Sequence, residues 1–305
     1  MQMRTIPKTN LEVSTICLGT MTFGTPVGEA DAVRLMHHAL ESGINFVDTA
    51  NMYEGYNRSI GSRGEVAELI VGKGIAGKRE QFVVATKVGM KVGDAPEDEW
   101  TSPAAIRKHL DLSLQRMKTD YVDIYYMHKF DPNTPFADMI GALQEAMDAG
   151  KIRYYGVSNY SAEQLADMLA AADADNLPRP VIHQPPLSLL KQDVAADLLP
   201  LCEREQIAAA PYQVLQGGLL TGKYRRGEPL PEGSRKSEKD GWVWALEDTL
   251  FDQLEAIEAK AEAAGLTMTQ YALRWALEQP AVVAPVVGVK RAAQIDAAVA
   301  AMPDA

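Results

Sequence analysis

The sequence predicts an α/β protein. Its expected form is a (β/α)8 TIM barrel with a short N-terminal β-hairpin and a long loop after strand 7. Three observations lead there. Short apolar, β-branched runs alternate eight times with longer amphipathic runs, the pattern of a parallel sheet covered by helices. No shift of composition divides the chain into halves. No G-x-G-x-x-G follows the first strand-like run, so a doubly wound dinucleotide-binding sheet lacks support. The 305 residues accommodate one barrel of roughly 250 residues plus insertions, and residues 1–305 are read as a single domain.

Residues 5–7 and 11–13 flank Lys8-Thr9-Asn10 and read as a hairpin closing the bottom of the barrel. Strands are expected at 16–18, 46–48, 82–87, 121–127, 154–157, 181–184, 208–212 and 282–287. Helices are expected at 29–42, 64–76, 102–117, 135–149, 161–172, 193–205, 249–278 and 291–301. Ser102-Pro103 supplies an N-cap with proline at the first helical position. Ser161 and Gln164 have capping-box spacing. Gly43, Gly150 and Gly265 follow helical runs as left-handed stops, and Gly265 splits the stretch 249–278 into two helices. Residues 213–247 show no strand or long helix, and a long insertion after a barrel strand reads as a lid or binding loop.

A formal net charge of −11 repels nucleic acid and anionic membrane, so neither is an expected partner. Any anionic ligand must meet a local cluster of positive groups. Cys17 and Cys202 have neither metal nor disulfide spacing and read as reduced core residues of a cytoplasmic protein. No signal-peptide h-region opens the chain, and no run reaches the roughly 20 apolar residues of a membrane span. Oligomeric state is left open.

In a (β/α)8 barrel, chemistry collects at the C-terminal ends of the strands. Asp48 ends the second strand and Tyr53 follows it. Lys87 ends the third, and His128 follows the fourth. Ser158 and Asn159 end the fifth, Gln184 the sixth and Tyr212 the seventh. A phenol of pKa about 10 is a poor proton shuttle at neutral pH; a neighbouring lysine ammonium lowers that value, and Asp48 keeps the lysine charged and oriented. A neutral His128 can donate to a carbonyl oxygen. The set suits protonation of an oxygen that gains charge as hydride reaches carbon. It does not suit zinc. A Schiff-base lyase using Lys87 as nucleophile is the competing chemistry.

Five segments together resemble the aldo-keto reductases: INFVDTANMY at 44–53, ATK at 85–87, YYMH at 125–128, GKIRYYGVSN at 150–159 and GLLTGKY at 218–224. The resemblance runs from about residue 4 to 302. It extends to the β subunits of voltage-gated potassium channels, which makes a cofactor-sensing regulatory subunit a further alternative. Those subunits carry Asn where this chain has His128, which favours an enzyme.

The resemblance implies an NADP(H)-dependent oxidoreductase acting on a small-molecule aldehyde or ketone. It implies Tyr53 as proton donor, tuned by Lys87 and Asp48, with His128 orienting the carbonyl. Ser158, Asn159 and Gln184 would hold the nicotinamide carboxamide and Tyr212 would stack on its ring. Thr20, Met21, Gln213, Leu215 and Gly218 join the cofactor set, and 213–247 becomes a cofactor-covering lid. Lys223 and Arg235 would meet anionic groups. Gly288, Lys290, Arg291 and Gln294 stand where the last helix starts, and backbone N–H groups there favour a phosphate. Lys290 and Arg291 favour NADP over NAD. Five positions depart from the family pattern: Gln213-Val214 replaces Ser-Pro, Ala297 and Ala298 replace a Glu-Asn pair, and Leu187 replaces an aromatic residue.

His37, His38 and His109 lie on expected helices and carry no assignment. His183 should face away from Gln184 across its strand. Tyr56 is a rival proton donor by proximity. Trp242 and Trp244 are expected to line the substrate pocket.

Overall fold

The computed structural model describes residues 1–302; the expected single domain extends three residues beyond them. β1 (Met3–Thr5) and β2 (Glu12–Ser14) form the antiparallel hairpin. The barrel units follow: β3 (Cys17–Gly19) with α1 (Glu29–Glu41), β4 (Phe46–Asp48) with α2 (Val66–Ile75), β5 (Val83–Val88) with α3 (Pro103–Met117), and β6 (Val122–Met127) with α4 (Phe136–Asp148). Next come β7 (Ile152–Ser158) with α5 (Ala162–Ala174), β8 (Ile182–Gln184) with α6 (Leu198–Glu205), and β9 (Ala208–Ala209). α7 (Arg235–Glu238) lies in the long loop, ahead of α8 (Asp248–Ala263), α9 (Met268–Leu277), β10 (Val286–Gly288) and α10 (Ala292–Val299).

The eight strands from β3 to β10 are all parallel, in the order β10-β3-β4-β5-β6-β7-β8-β9. The ring closes where Ala209 N donates to Ala281 O (2.7 Å) and Val286 N to Pro211 O (2.8 Å). This is the (β/α)8 fold that the alternation predicts. The last two ladders are shorter than the apolar runs 208–212 and 282–287, because Pro211 and Pro285 have no N–H to donate.

Period-two alternation sorts the strand residues into two cores. Cys17, Phe46, Ala85, Ile124, Tyr126, Ile182 and Ala208 fill the barrel, and Ile6, Leu11 and Val13 plug its lower end. Leu18, Val47, Val84, Tyr125, Met127 and Val157 face the helices.

The hairpin ladder shares Thr5, Glu12 and Val13 with the expected 5–7 and 11–13 but is shifted away from the turn. Its pairs are Met3 with Ser14, Arg4 with Val13 and Thr5 with Glu12. Ile6 and Leu11, which suggested strand, instead sit at the mouth of a wide turn and bury their side chains under the barrel. The expected helix signals hold. Ser102 Oγ caps α3, Ser161 and Gln164 form the box of α5, and Gly43, Gly150 and Gly265 adopt positive φ. α8 stops before Gly265, and Thr267 caps α9.

The insertion at 213–247 has short helices of its own. A 3-10 segment (Gln216–Thr221), α7 and a second 3-10 turn (Asp240–Trp242) fold back so that Leu219, Leu220, Tyr224 and Val243 pack on Leu250, Phe251, Leu254 and Ile257 of α8. Among the described residues no helix is long and apolar enough to cross a membrane.

Candidate active site

Parallel pairing brings the C-terminal strand ends to one side of the barrel, and the two-residue period decides what points inward. Asp48 lies two residues past Phe46, Lys87 two past Ala85, His128 two past Tyr126 and Gln184 two past Ile182. Each of those predecessors belongs to the barrel interior. His183 therefore faces the helices, where its Nε2 lies 3.1 Å from Tyr160 O.

Lys87 is fully buried. Its Nζ donates to Asp48 Oδ2 (2.5 Å), Thr49 O (2.9 Å) and Tyr53 OH (3.5 Å), which uses all three protons of the ammonium. Asp48 Oδ1 accepts from Gln184 Nε2 at 2.8 Å. The Tyr53 and His128 rings meet edge to face, with centroids 6.0 Å apart. Asp48, Tyr53, Lys87 and His128 thus come together from three strand ends.

Burial disfavours the charge on Lys87, but the Asp48 and Tyr53 interactions outweigh it and hold the lysine above its ordinary value. Burial also raises the Tyr53 phenol; Lys87 pulls it down and Asp48 pushes it further up. The net direction is the opposite of the lowering expected from Lys87 alone. The ammonium is held by a carboxylate at 2.5 Å, so less of its charge is felt at the phenol. Burial, then Lys87, Arg58 and Lys129, pull His128 well below the usual histidine range, so its imidazole is neutral at pH 7. Its Nδ1 is buried without a partner among the described residues.

Two clefts meet at Tyr53. A groove of ≈ 250 Å³ runs along the ends of β3 and β10 and under the insertion. Thr20, Met21, Asp48, Gln184, Tyr212, Gln213, Leu215, Gly218, Lys223, Arg235, Gly288, Lys290 and Gln294 all line it. A wider cleft of ≈ 580 Å³ lies on the other side, walled by Met52, Glu54, Arg58, Trp242 and Trp244. Tyr53, Met21, Gln213 and Arg235 border both.

The rest of the expected set stands behind these walls. Ser158 Oγ donates to Gln184 O (2.8 Å), Asn159 Nδ2 to His128 O (2.8 Å), and Tyr212 OH to Asn159 Oδ1 (2.8 Å). Asn159 thereby ties the ends of β6, β7 and β9 together. Arg291 is exposed and outside the groove wall. Gln294 Oε1 accepts from the backbone N–H of Lys290 (2.7 Å) and of Arg291 (3.2 Å), so the amides expected to meet a phosphate are already capped.

The groove concentrates positive charge. Lys223 and Arg235 have no carboxylate partner among the described residues. Burial lowers the Lys223 pKa, and Lys290, Arg235 and Arg291 lower it further. Lys290 pairs with Glu238 and donates to Gly233 O. Gly218 permits this crowding: at φ +97°, a Cβ there would stand 2.5 Å from Lys223 Nζ.

Tyr56 does not approach Lys87. It is buried against Trp242, with ring centroids 5.4 Å apart, beneath Lys290. It anchors the insertion to the loop after β4. Sequence reasoning missed Glu54 and Arg58 in the wide cleft. Their signal was position alone, as charged residues in a loop leaving the C-terminal end of a strand.

Comparison with known proteins gives consistent results. Residues 15–304 match the model of the aldo/keto reductase family. The chain is 33% identical over 295 residues to the uncharacterized oxidoreductase YrpG of Bacillus subtilis (strain 168), covering 94% of this chain and 87% of that one. It is 31% identical over 309 residues to the L-glyceraldehyde 3-phosphate reductase of Escherichia coli O157:H7, covering 99% and 88%. It is 30% identical over 303 residues to a probable voltage-gated potassium channel subunit beta of Arabidopsis thaliana, covering 97% and 89%.

Proposed function

This chain belongs to the aldo/keto reductase family, and from that premise we propose that it is an NADP(H)-dependent oxidoreductase reducing an aldehyde or ketone to an alcohol, with Tyr53 as proton donor. The observation that carries the reading is the buried array of Gln184, Asp48, Lys87 and Tyr53 at the junction of two clefts.

The groove suits a nicotinamide dinucleotide. Lys223 and Arg235, cations without carboxylate partners among the described residues of an acidic chain, fit its phosphates, with Lys290 and Arg291 at the end that would take a 2′-phosphate. Ser158, Asn159, Gln184 and Tyr212 would hold the nicotinamide, and the covering segment at 213–247 would close over it. NADPH, when bound, supplies the hydride.

The residues of the chain do the rest. A neutral His128 donates to the substrate oxygen and orients it. Tyr53, kept protonated by its burial, has a proton to give as charge builds on that oxygen. The phenolate left behind is stabilised by the Lys87 ammonium 3.5 Å away. Asp48 keeps that ammonium charged. A fully buried lysine with a raised pKa is a poor amine nucleophile, which weighs against a Schiff-base lyase. Both cysteines are buried and free, which suits a reducing compartment such as the cytoplasm. Residues 1–305 are read as one domain throughout.

The test is Tyr53→Phe. It should bind NADPH as the natural chain does and lose at least about a hundredfold in turnover on a panel of aldehydes and ketones. Unchanged turnover would sink the assignment of the donor.

A further inference from the structure

We propose that the wide cleft selects a carbonyl substrate carrying an anionic group, with Arg58 as the residue that receives it; this rests on the carbonyl-reductase reading. Arg58 leaves the loop after β4 and lines the cleft that Tyr53 borders. It is held by neutral oxygens alone: Nη1 donates to Ser62 O (2.7 Å) and Ser62 Oγ (2.6 Å), and Nη2 to Lys91 O (2.5 Å). No carboxylate lies within ion-pair distance of it among the described residues. A guanidinium has five N–H donors, so two remain after those bonds. Three contacts fix the plane of the group, and a fixed fork suits a carboxylate or phosphate.

The surroundings strengthen the case. Arg235 borders the same cleft, also without a carboxylate partner among the described residues. Glu54 is the one carboxylate in the lining, and it accepts a short hydrogen bond from Ser62 Oγ. Once Arg235 meets a cofactor phosphate, Arg58 and Glu54 are the charged groups left on the substrate side among the described residues, and Glu54 is engaged by Ser62 whereas two N–H groups of Arg58 are free of protein partners. Burial lowers the Arg58 pKa and the Glu54 charge offsets this only in part, a remaining cost that a bound anion would reduce. Arg58 and Tyr53 line the same cleft, so an acid group at Arg58 can belong to the molecule whose carbonyl reaches Tyr53. Trp242 and Trp244 offer aromatic walls to the body of such a substrate.

The test compares 4-carboxybenzaldehyde with 4-formylbenzamide, near-isosteric aldehydes that differ in charge. The amide withdraws more electron density from the ring, so chemistry alone favours it. The natural chain should show kcat/KM at least about tenfold higher for the acid, because a single well-placed ion pair supplies that factor. The ratio should fall with added salt, approach one in Arg58→Gln and survive in part in Arg58→Lys. A ratio of one or less in the natural chain, or a ratio unmoved by Arg58→Gln, would overturn the proposal. Because Arg58 also braces its loop, the same selectivity is read as binding in the natural chain. 4-(Hydroxymethyl)benzoate and its amide are titrated against tryptophan fluorescence. Acid-selective binding without turnover of any carbonyl would sink the reductase reading and leave the anion site standing. Turnover without acid selectivity would do the reverse.

Discussion

The Gln184 side-chain amide donates a 2.8 Å hydrogen bond to Asp48 Oδ1, on the opposite side of the carboxylate from Lys87. A residue expected only to meet cofactor thus also fixes the aspartate that fixes the lysine. Gln184→Leu should leave one buried carboxylate oxygen without its donor. Thermal unfolding should shift by roughly 1–3 kcal/mol, and turnover should fall about tenfold or more through loss of orientation. An unaltered melting temperature would show that the bond is not formed in solution.

Lys87→Met removes the only cation that Asp48 touches among the described residues. Breaking a buried pair on one side costs about 3–5 kcal/mol. Adding Asp48→Asn removes the stranded charge, so the double variant should regain much of that loss. Urea denaturation of both singles and the double closes the cycle; strictly additive costs would mean the two groups do not interact.

The proposed reaction should show no acid limb near pH 6.5, the ordinary histidine value. His128 is held well below it by burial, Lys87, Arg58 and Lys129, and Tyr53 stays protonated because its pKa is raised. Reductive kcat/KM should be level from about pH 6 to 8 on these grounds. A drop centred at 6.5 would contradict the neutral, buried imidazole.

Acid should weaken the fold through His183. Burial pulls it down to about 4, against about 6.5 in an unfolded chain. Between those values the unfolded chain binds a proton that the native one refuses. The stability is therefore complete above 6.5 and is lost as pH falls toward 4, on the order of 3 kcal/mol. His109 and His128 act with the same sign. His183→Gln keeps a donor for Tyr160 O, and urea midpoints at pH 7.5 and 4.5 should then differ less than in the natural chain.

Cofactor choice should divide unequally between two neighbours. Lys290 lines the groove whereas Arg291 is exposed outside its wall. Lys290→Ala should reduce the preference for NADPH over NADH by about tenfold, and Arg291→Ala by less than about threefold. Fluorescence titration with both nucleotides measures it. Equal effects would mean that Arg291 swings into the groove on binding.

Local signals and global ones were unequally legible in the sequence. Caps at Ser102 and Ser161, stops at Gly43, Gly150 and Gly265, and the period of two at Asp48, Lys87 and Gln184 are short-range and read directly. The hairpin register was not, because Ile6 and Leu11 are apolar for the sake of the barrel floor and not of the ladder. The direction of the Tyr53 shift was hidden as well. It depends on how much water the assembled barrel excludes, and a spacing along the chain does not report that. Tyr56 lies 186 positions from Trp242, so no local pattern could reveal that it anchors the insertion. Gln294 lines the groove as expected, and its capping of the Lys290 and Arg291 amides depends on a side-chain conformation that spacing does not report.

The insertion shares its apolar cluster with α8 and with Met268 and Ala272 of α9, and it joins the outer barrel core only at its start, through Val214 and Leu215. That makes it a detachable cassette in engineering terms. A chimera that exchanges 213–247 alone would strip Leu250, Phe251, Leu254 and Ile257 of their cover, whereas one that exchanges 213–277 moves the contacts with α8 and α9 together. New walls for the clefts could then be grafted without disturbing Asp48, Lys87 or Tyr53, which the strands hold from below.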